Sequence, residues 1–150
     1  MAFTGNYMCT SFKQQILEAV HDFRTSGSGG DAFKIALYDN SASFTAATTA
    51  YTATNEVPAS GTYVAGGGTL TNIAPTTSGT TAFPSFSNFS WTSATITAYG
   101  CMIYNSTPTH TYTNPSVVIL DFGGVKTSTA GTFQIIFPTA AASTAIIRIA

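Results

Sequence analysis

Charge is what this sequence lacks. Five Lys and Arg stand against six Asp and Glu, so 7% of 150 residues are charged where roughly a quarter is usual. The five cations lie apart, at Lys13, Arg24, Lys34, Lys126 and Arg148, so no basic stripe exists to neutralise a phosphate backbone. Nucleic acid is disfavoured as a main partner. Six carboxylates and two histidines leave few groups for acid–base chemistry, which disfavours an enzyme. Long apolar runs are missing as well: the longest aliphatic stretch, Val117-Val118-Ile119-Leu120, is far below the roughly 20 residues that span a bilayer. No membrane partner is expected. Met1-Ala2-Phe3-Thr4-Gly5 has no cationic region leading into an apolar core, so no secretory signal is read there. Cysteine is scarce. Cys9 and Cys101 carry no framework spacing, and free buried thiols are expected.

Neutral polar residues fill the place of the missing charge. There are 27 threonines and 13 glycines, with many Ser and Asn, while the apolar share is an ordinary 44%. A chain of this length forms one core without a metal or disulfide framework, so residues 1–150 are read as a single domain. Residues 1–10 read as an N-terminal arm, 11–24 as a helix and 32–150 as a β-sandwich.

The helix reading rests on Phe12, Ile16, Leu17, Val20 and Phe23, which share one stripe at 3.6 residues per turn. Ser11 and Gln14 fit a capping box, and Ser26-Gly27-Ser28-Gly29-Gly30 ends the helix after Phe23. From Ala32 the period is two. Phe33, Ile35 and Leu37 alternate with Lys34, Ala36 and Tyr38, which predicts a strand with one buried face. Further runs near 63–64, 69–73, 83–91, 95–104, 116–122, 132–137 and 145–149 bring the expected count to about eight strands. With no crossover helices between them, they predict a mainly β, antiparallel sandwich or closed barrel with one short N-terminal α-helix. Residues 41–55 suit an exposed strand or a loop equally. Pro75 to Gly79 and Thr107 to Pro115 read as loops, because proline cannot donate to a central ladder.

No motif here carries chemistry. Glu18 and His21 have the spacing of carboxylate-bridged metal sites, with Asp22 nearby, but such sites need a second copy on further helices, and a solvated helix face is expected instead. His110 reads as a surface histidine in a Thr/Tyr-rich loop. Asp121-Phe122-Gly123 copies a kinase magnesium motif without its companions, and reads as a strand end with Gly123-Gly124 turning. Gly27 to Gly30 and Gly66-Gly67-Gly68 lack the lysine of a phosphate cradle and read as flexible turns. Asp39, Glu56 and Asp121 form no nucleophile–base pattern. Accordingly no catalytic, cofactor-binding or metal-ligating residue is assigned. The many aromatics, Phe83, Phe86, Phe89 and Trp91 among them, are expected mostly to fill the core.

Met8-Cys9-Thr10-Ser11-Phe12-Lys13 leading into a helix, followed by Phe33-Lys34-Ile35-Ala36-Leu37-Tyr38, resembles the start of small virion structural proteins of tailed bacteriophages. The likeness continues through residues 100–105, 120–123 and 131–138 and closes with Ala145-Ile146-Ile147-Arg148-Ile149. It implies a capsid decoration, or cement, protein: a jelly-roll-like β-sandwich on the outer capsid surface, bound to an HK97-fold major capsid protein. The implied assembly is a homodimer, with a homotrimer as the other closed option. Contacts are expected from the N-terminal arm reaching along a neighbour, or from an exposed strand pairing with a partner's edge. The alternative is a tail- or fibre-associated sandwich that binds a receptor glycan through exposed aromatics in the 104–114 loop.

Overall fold

The helix is shorter than its apolar stripe suggests. In the computed structural model, which describes residues 3–108 and 111–150, α1 spans Thr10–Leu17 and not Phe12 to Phe23. The Val20 amide reaches back to the Gln15 carbonyl and the Ala19 amide to the Ile16 carbonyl, the paired bonds of a Schellman stop. Ala19 takes the left-handed conformation this stop requires, at φ 57°, a strain of about 1–2 kcal/mol for a residue with a Cβ. Leu17 is consequently 88% exposed, while Val20 and Phe23 are buried by the extended chain that follows. Ser11 is not the cap either. Cys9 takes that position without a side-chain bond, and Gln14 donates its amide to Glu18 at 2.7 Å instead.

Seven strands follow the expected antiparallel, mainly β pattern: β1 (Tyr7–Met8), β2 (Phe33–Tyr38), β3 (Gly68–Thr69), β4 (Asn72–Ser78), β5 (Thr81–Phe86), β6 (Phe89–Asn105) and β7 (Ser116–Ile135). Five form one sheet in the order β1-β7-β6-β2-β3, and β4 pairs with β5 in a second. The expected eight become seven because runs merge: 95–104 joins β6, and 116–122 joins 132–135 in β7. Residues 63–64 and 145–149 make only isolated bridges, Tyr63 with Ser60 and Ile149 with Ala82. Pro75 lies within β4, where the register slips between Ile73 and Thr76, so it stands in an edge strand and not in a loop.

β2 is buried on both faces, not one. Its register sets Leu37 against Cys101, Ile35 against Ile103 and Phe33 against Asn105, all on one side of the sheet. There Phe33 stacks on Phe23 at 4.3 Å and meets Phe86 of β5 at 5.7 Å, so the small sheet and the segment after α1 form a second layer. On the other side Tyr38 packs on Phe44 at 4.7 Å and Tyr104 on Tyr51 at 4.6 Å. Residues 39–66 form this cover, largely as irregular chain. A two-sided core explains why β2 shows no exposed alternate positions.

The N-terminal segment docks on its own sheet. Tyr7 and Met8 pair with Ile119 and Val118 of β7, and Phe3 is buried against Phe44. It therefore closes the β7 edge at that end instead of reaching outward.

Candidate functional site

Most buried polar side chains are committed to bonds within the fold, Ser11 Oγ and Asn72 Oδ1 being without a partner among the described residues. Asp31 Oδ2 accepts the Asp22 amide at 2.8 Å and the Asn105 side-chain amide at 2.7 Å. The second hydrogen of that Asn105 amide points at His21 Nδ1, 3.2 Å away, and His21 Nε2 faces Gln15 Oε1 at 2.9 Å. Because an amide nitrogen only donates, Nδ1 is the acceptor and Nε2 carries the proton. His21 lies among Phe12, Phe23 and Phe33, off the helix and half-buried, so the expected solvated helix face is wrong for it. Burial lowers its pKa to about 4.

That depression has a signed consequence. The unfolded chain binds a proton at His21 below about pH 6.5 and the folded chain only near pH 4, so stability falls as pH drops through that window. The loss approaches about 3 kcal/mol by pH 4. Thermal melts should show the midpoint declining between pH 6.5 and 4, and His21→Gln should flatten the decline. A flat wild-type profile contradicts a buried neutral imidazole.

A second network surrounds Glu56. The Tyr51 hydroxyl donates to Oε2 at 2.6 Å, and Tyr63 and the Gly66 amide donate to Oε1 at 2.7 and 2.8 Å. Tyr63 also accepts the Leu37 amide at 2.9 Å, and Tyr104 donates to the Gly66 carbonyl at 2.7 Å. Burial, and then the Glu56 charge, pushes Tyr104 up to about 12. Burial raises Tyr38, Tyr51 and Tyr63 further above the ordinary phenol range. Four un-ionised phenols and one carboxylate thus staple the 51–66 loop onto the sheet.

The remaining candidates are dispersed. Glu18 accepts from Gln14 and from Tyr112, and Asp22 pairs with Arg24, whose guanidinium holds it below the usual carboxylate range. No group of three His, Cys, Asp or Glu side chains able to hold a metal occurs among the described residues. His110 lies outside the described residues. Asp39 accepts the Ser41 amide, and Asp121 accepts the Gly123 amide. Gly123 and Gly124 do not end a strand. They sit inside β7 with positive φ, where four residues, 122–125, bulge opposite Tyr99 alone. Cys9 and Cys101 are free and buried, with both thiols pushed up by burial. Asn105 is fully buried, and the exposed Asn88 accepts the Phe137 amide. Of the glycan-reading aromatics, Tyr104 is buried and Tyr112 is exposed with its hydroxyl held by Glu18.

The β6–β7 ribbon carries one run of exposed neutral polar residues. Thr92, Ser93, Thr95 and Thr97 of β6 are exposed, as are Thr127, Thr129 and Thr132 of β7, with Thr97 directly opposite Thr127. Lys126 is the lone charge between Ala94 and Ala98 on one strand and Lys126 and Ile135 on the other. A cleft of about 480 Å³ opens beside the bulge, lined by Asn6, Asp121, Phe122, Lys126, Phe133 and Ile146 among others. Threonine suits this ribbon because its β-branch favours extended backbone, and its hydroxyl can also bond locally, as Thr95 Oγ1 does in accepting the Ala130 amide at 3.0 Å. Six of the exposed threonines share one ribbon because four predicted runs merge into two long strands, and the others are spread over the rest of the surface. Comparison with known protein families, with curated proteins and with solved structures finds no match for this chain.

Proposed function

We propose that the chain is a capsid decoration protein of a tailed bacteriophage, which binds the outside of an assembled HK97-fold lattice and cements it. The reading takes its family from the resemblance of the sequence to small virion structural proteins. The observation that carries it is the exposed, nearly chargeless threonine ribbon of β6–β7. Such a surface forms hydrogen bonds to a neighbour without the several kcal/mol that desolvating each charge costs. The catalytic alternatives lose support from the internal engagement of Glu56, His21 and Asp31, whose polar atoms are spent on holding loops.

Cementing then follows from mass action. A protein that binds the assembled lattice and not its free subunits stabilises assembly, and many identical weak contacts add through multivalency. Particles lacking the protein should come apart at a lower temperature than complete ones, and purified protein added back should restore the difference. Equal disruption temperatures would contradict the role. Binding of the purified chain to host-cell glycans, with none to emptied capsids, would favour the receptor-binding alternative.

A further inference from the structure

The cleft of about 480 Å³ beside the bulge lies between β7 and the segment that follows it, and is of the size that seats a small ligand. β7 bends around it, so that Phe122 and Phe133, from opposite ends of the bulged stretch, come within 6.4 Å. Leu120, Phe122 and Ile146 line it and are each part-exposed, which leaves apolar surface open to water. Its charges are few. Lys126 is the one cation among the lining residues, and it is exposed with no hydrogen bond or ion pair among the described residues. Asp121 is the one anion and is not ion-paired with Lys126. Its Oδ1 accepts the Gly123 amide and its own amide donates to Asn6, each at 2.8 Å. It also lines a second cleft, with Phe3 and Tyr99, and so stands at the boundary between the two.

We infer that this cleft binds a small amphipathic monocarboxylate, its apolar body on Leu120, Phe122, Phe133 and Ile146 and its carboxylate on Lys126. The apolar floor supplies affinity by removing hydrocarbon from water, and the lysine supplies the sign of the head. A neutral ligand would cover the lysine stem and leave the ammonium without a partner. A doubly charged head would keep one negative charge uncompensated beside Asp121. One lysine matches one negative charge. The inference concerns the isolated chain and goes beyond the capsid reading without resting on it.

Calorimetric titration of the full chain with hexanoate, octanoate, octanol and octylammonium, each below its aggregation concentration, tests this. Octanoate should bind on the order of tenfold more tightly than hexanoate, since each further buried methylene gives roughly fourfold. Octylammonium, of equal length and opposite charge, should bind about tenfold more weakly than octanoate. Trp91, the chain's one tryptophan, lies 6.3 Å from Phe133 and should report occupancy by a change in fluorescence. Lys126→Gln should weaken octanoate about tenfold and leave octanol unchanged. Asp121→Asn, which keeps an acceptor for the Gly123 amide, should leave octanoate binding as it is or tighten it. Thermal melts of both variants should match wild type, which separates lost binding from lost folding. Absence of octanoate binding, equal affinity for octanoate and octylammonium, or a Lys126→Gln variant that binds octanoate as wild type does overturns the inference. Weakening by Asp121→Asn overturns it in favour of a zwitterionic ligand.

Discussion

Gly67→Ala should cost more than about 4 kcal/mol, a loss reserved for changes the structure has no way to absorb. Gly67 is buried at φ 72°, and a Cβ there would meet the Ile35 carbonyl oxygen at 1.8 Å. Both the residue and its obstacle are backbone, so no rotamer change relieves the overlap. The β3 pairing of Gly68 with Ile35 and Thr69 with Lys34 must open, and Leu70 loses its bond to the Phe33 carbonyl. Gly79→Ala is the matched control. Its φ is 58° but nothing lies within 4 Å of an added Cβ, so only the left-handed strain of about 1–2 kcal/mol applies. At about 2–4 °C per kcal/mol for a domain of this size, the two variants should melt clearly apart. Equal melting points would mean that the close approach of the 64–67 turn to β2 is wrong. The triple glycine is thus a packed element and not the flexible turn its composition suggests: Gly66 bonds through both its amide and carbonyl, and Gly68 lies against the Phe89 ring.

Glu56→Ala should cost about 3 kcal/mol or more, because it removes the acceptor of three donors at once. Hydrogen bonds to a charged group contribute about 1.5–3 kcal/mol each, and an orphaned buried donor costs about 1–3 kcal/mol. Tyr63 is fully buried and has no water to turn to, whereas Tyr51 is half-buried and recovers part of its loss. Glu56→Gln keeps one acceptor oxygen and should fall between the two. Denaturant unfolding measures the order: wild type above glutamine above alanine. Alanine equal to wild type would remove the carboxylate as the staple of the 51–66 loop.

What was readable in the sequence is local and periodic. The alternation of Phe33, Ile35 and Leu37 places β2, and the aliphatic run at 117–120 places the start of β7. The antiparallel, mainly β class follows from the lack of crossover helices. The readings that failed depend on what lies across space. Val20 and Phe23 fit the helical stripe, yet Phe23 is buried by stacking on Phe33, which the chain reaches only by leaving the helix at Ala19. An alanine in the left-handed position carries no signal, whereas a glycine there would have. Lys34 and Tyr38 look like a solvent face because the cover formed by Phe44 and Tyr51 comes from irregular chain without periodicity. Glu56 gathers tyrosines from residues 51 and 63, and Tyr104 joins from β6, a convergence that one-dimensional spacing does not register.

The central claim is that a nearly chargeless threonine ribbon serves by repeated fit to a regular shell. Its most direct test is the number of copies per purified particle, measured against the major capsid protein by quantitative mass spectrometry. Hundreds of copies, in fixed proportion to the shell subunit, are expected. A handful per particle, or none, would contradict it.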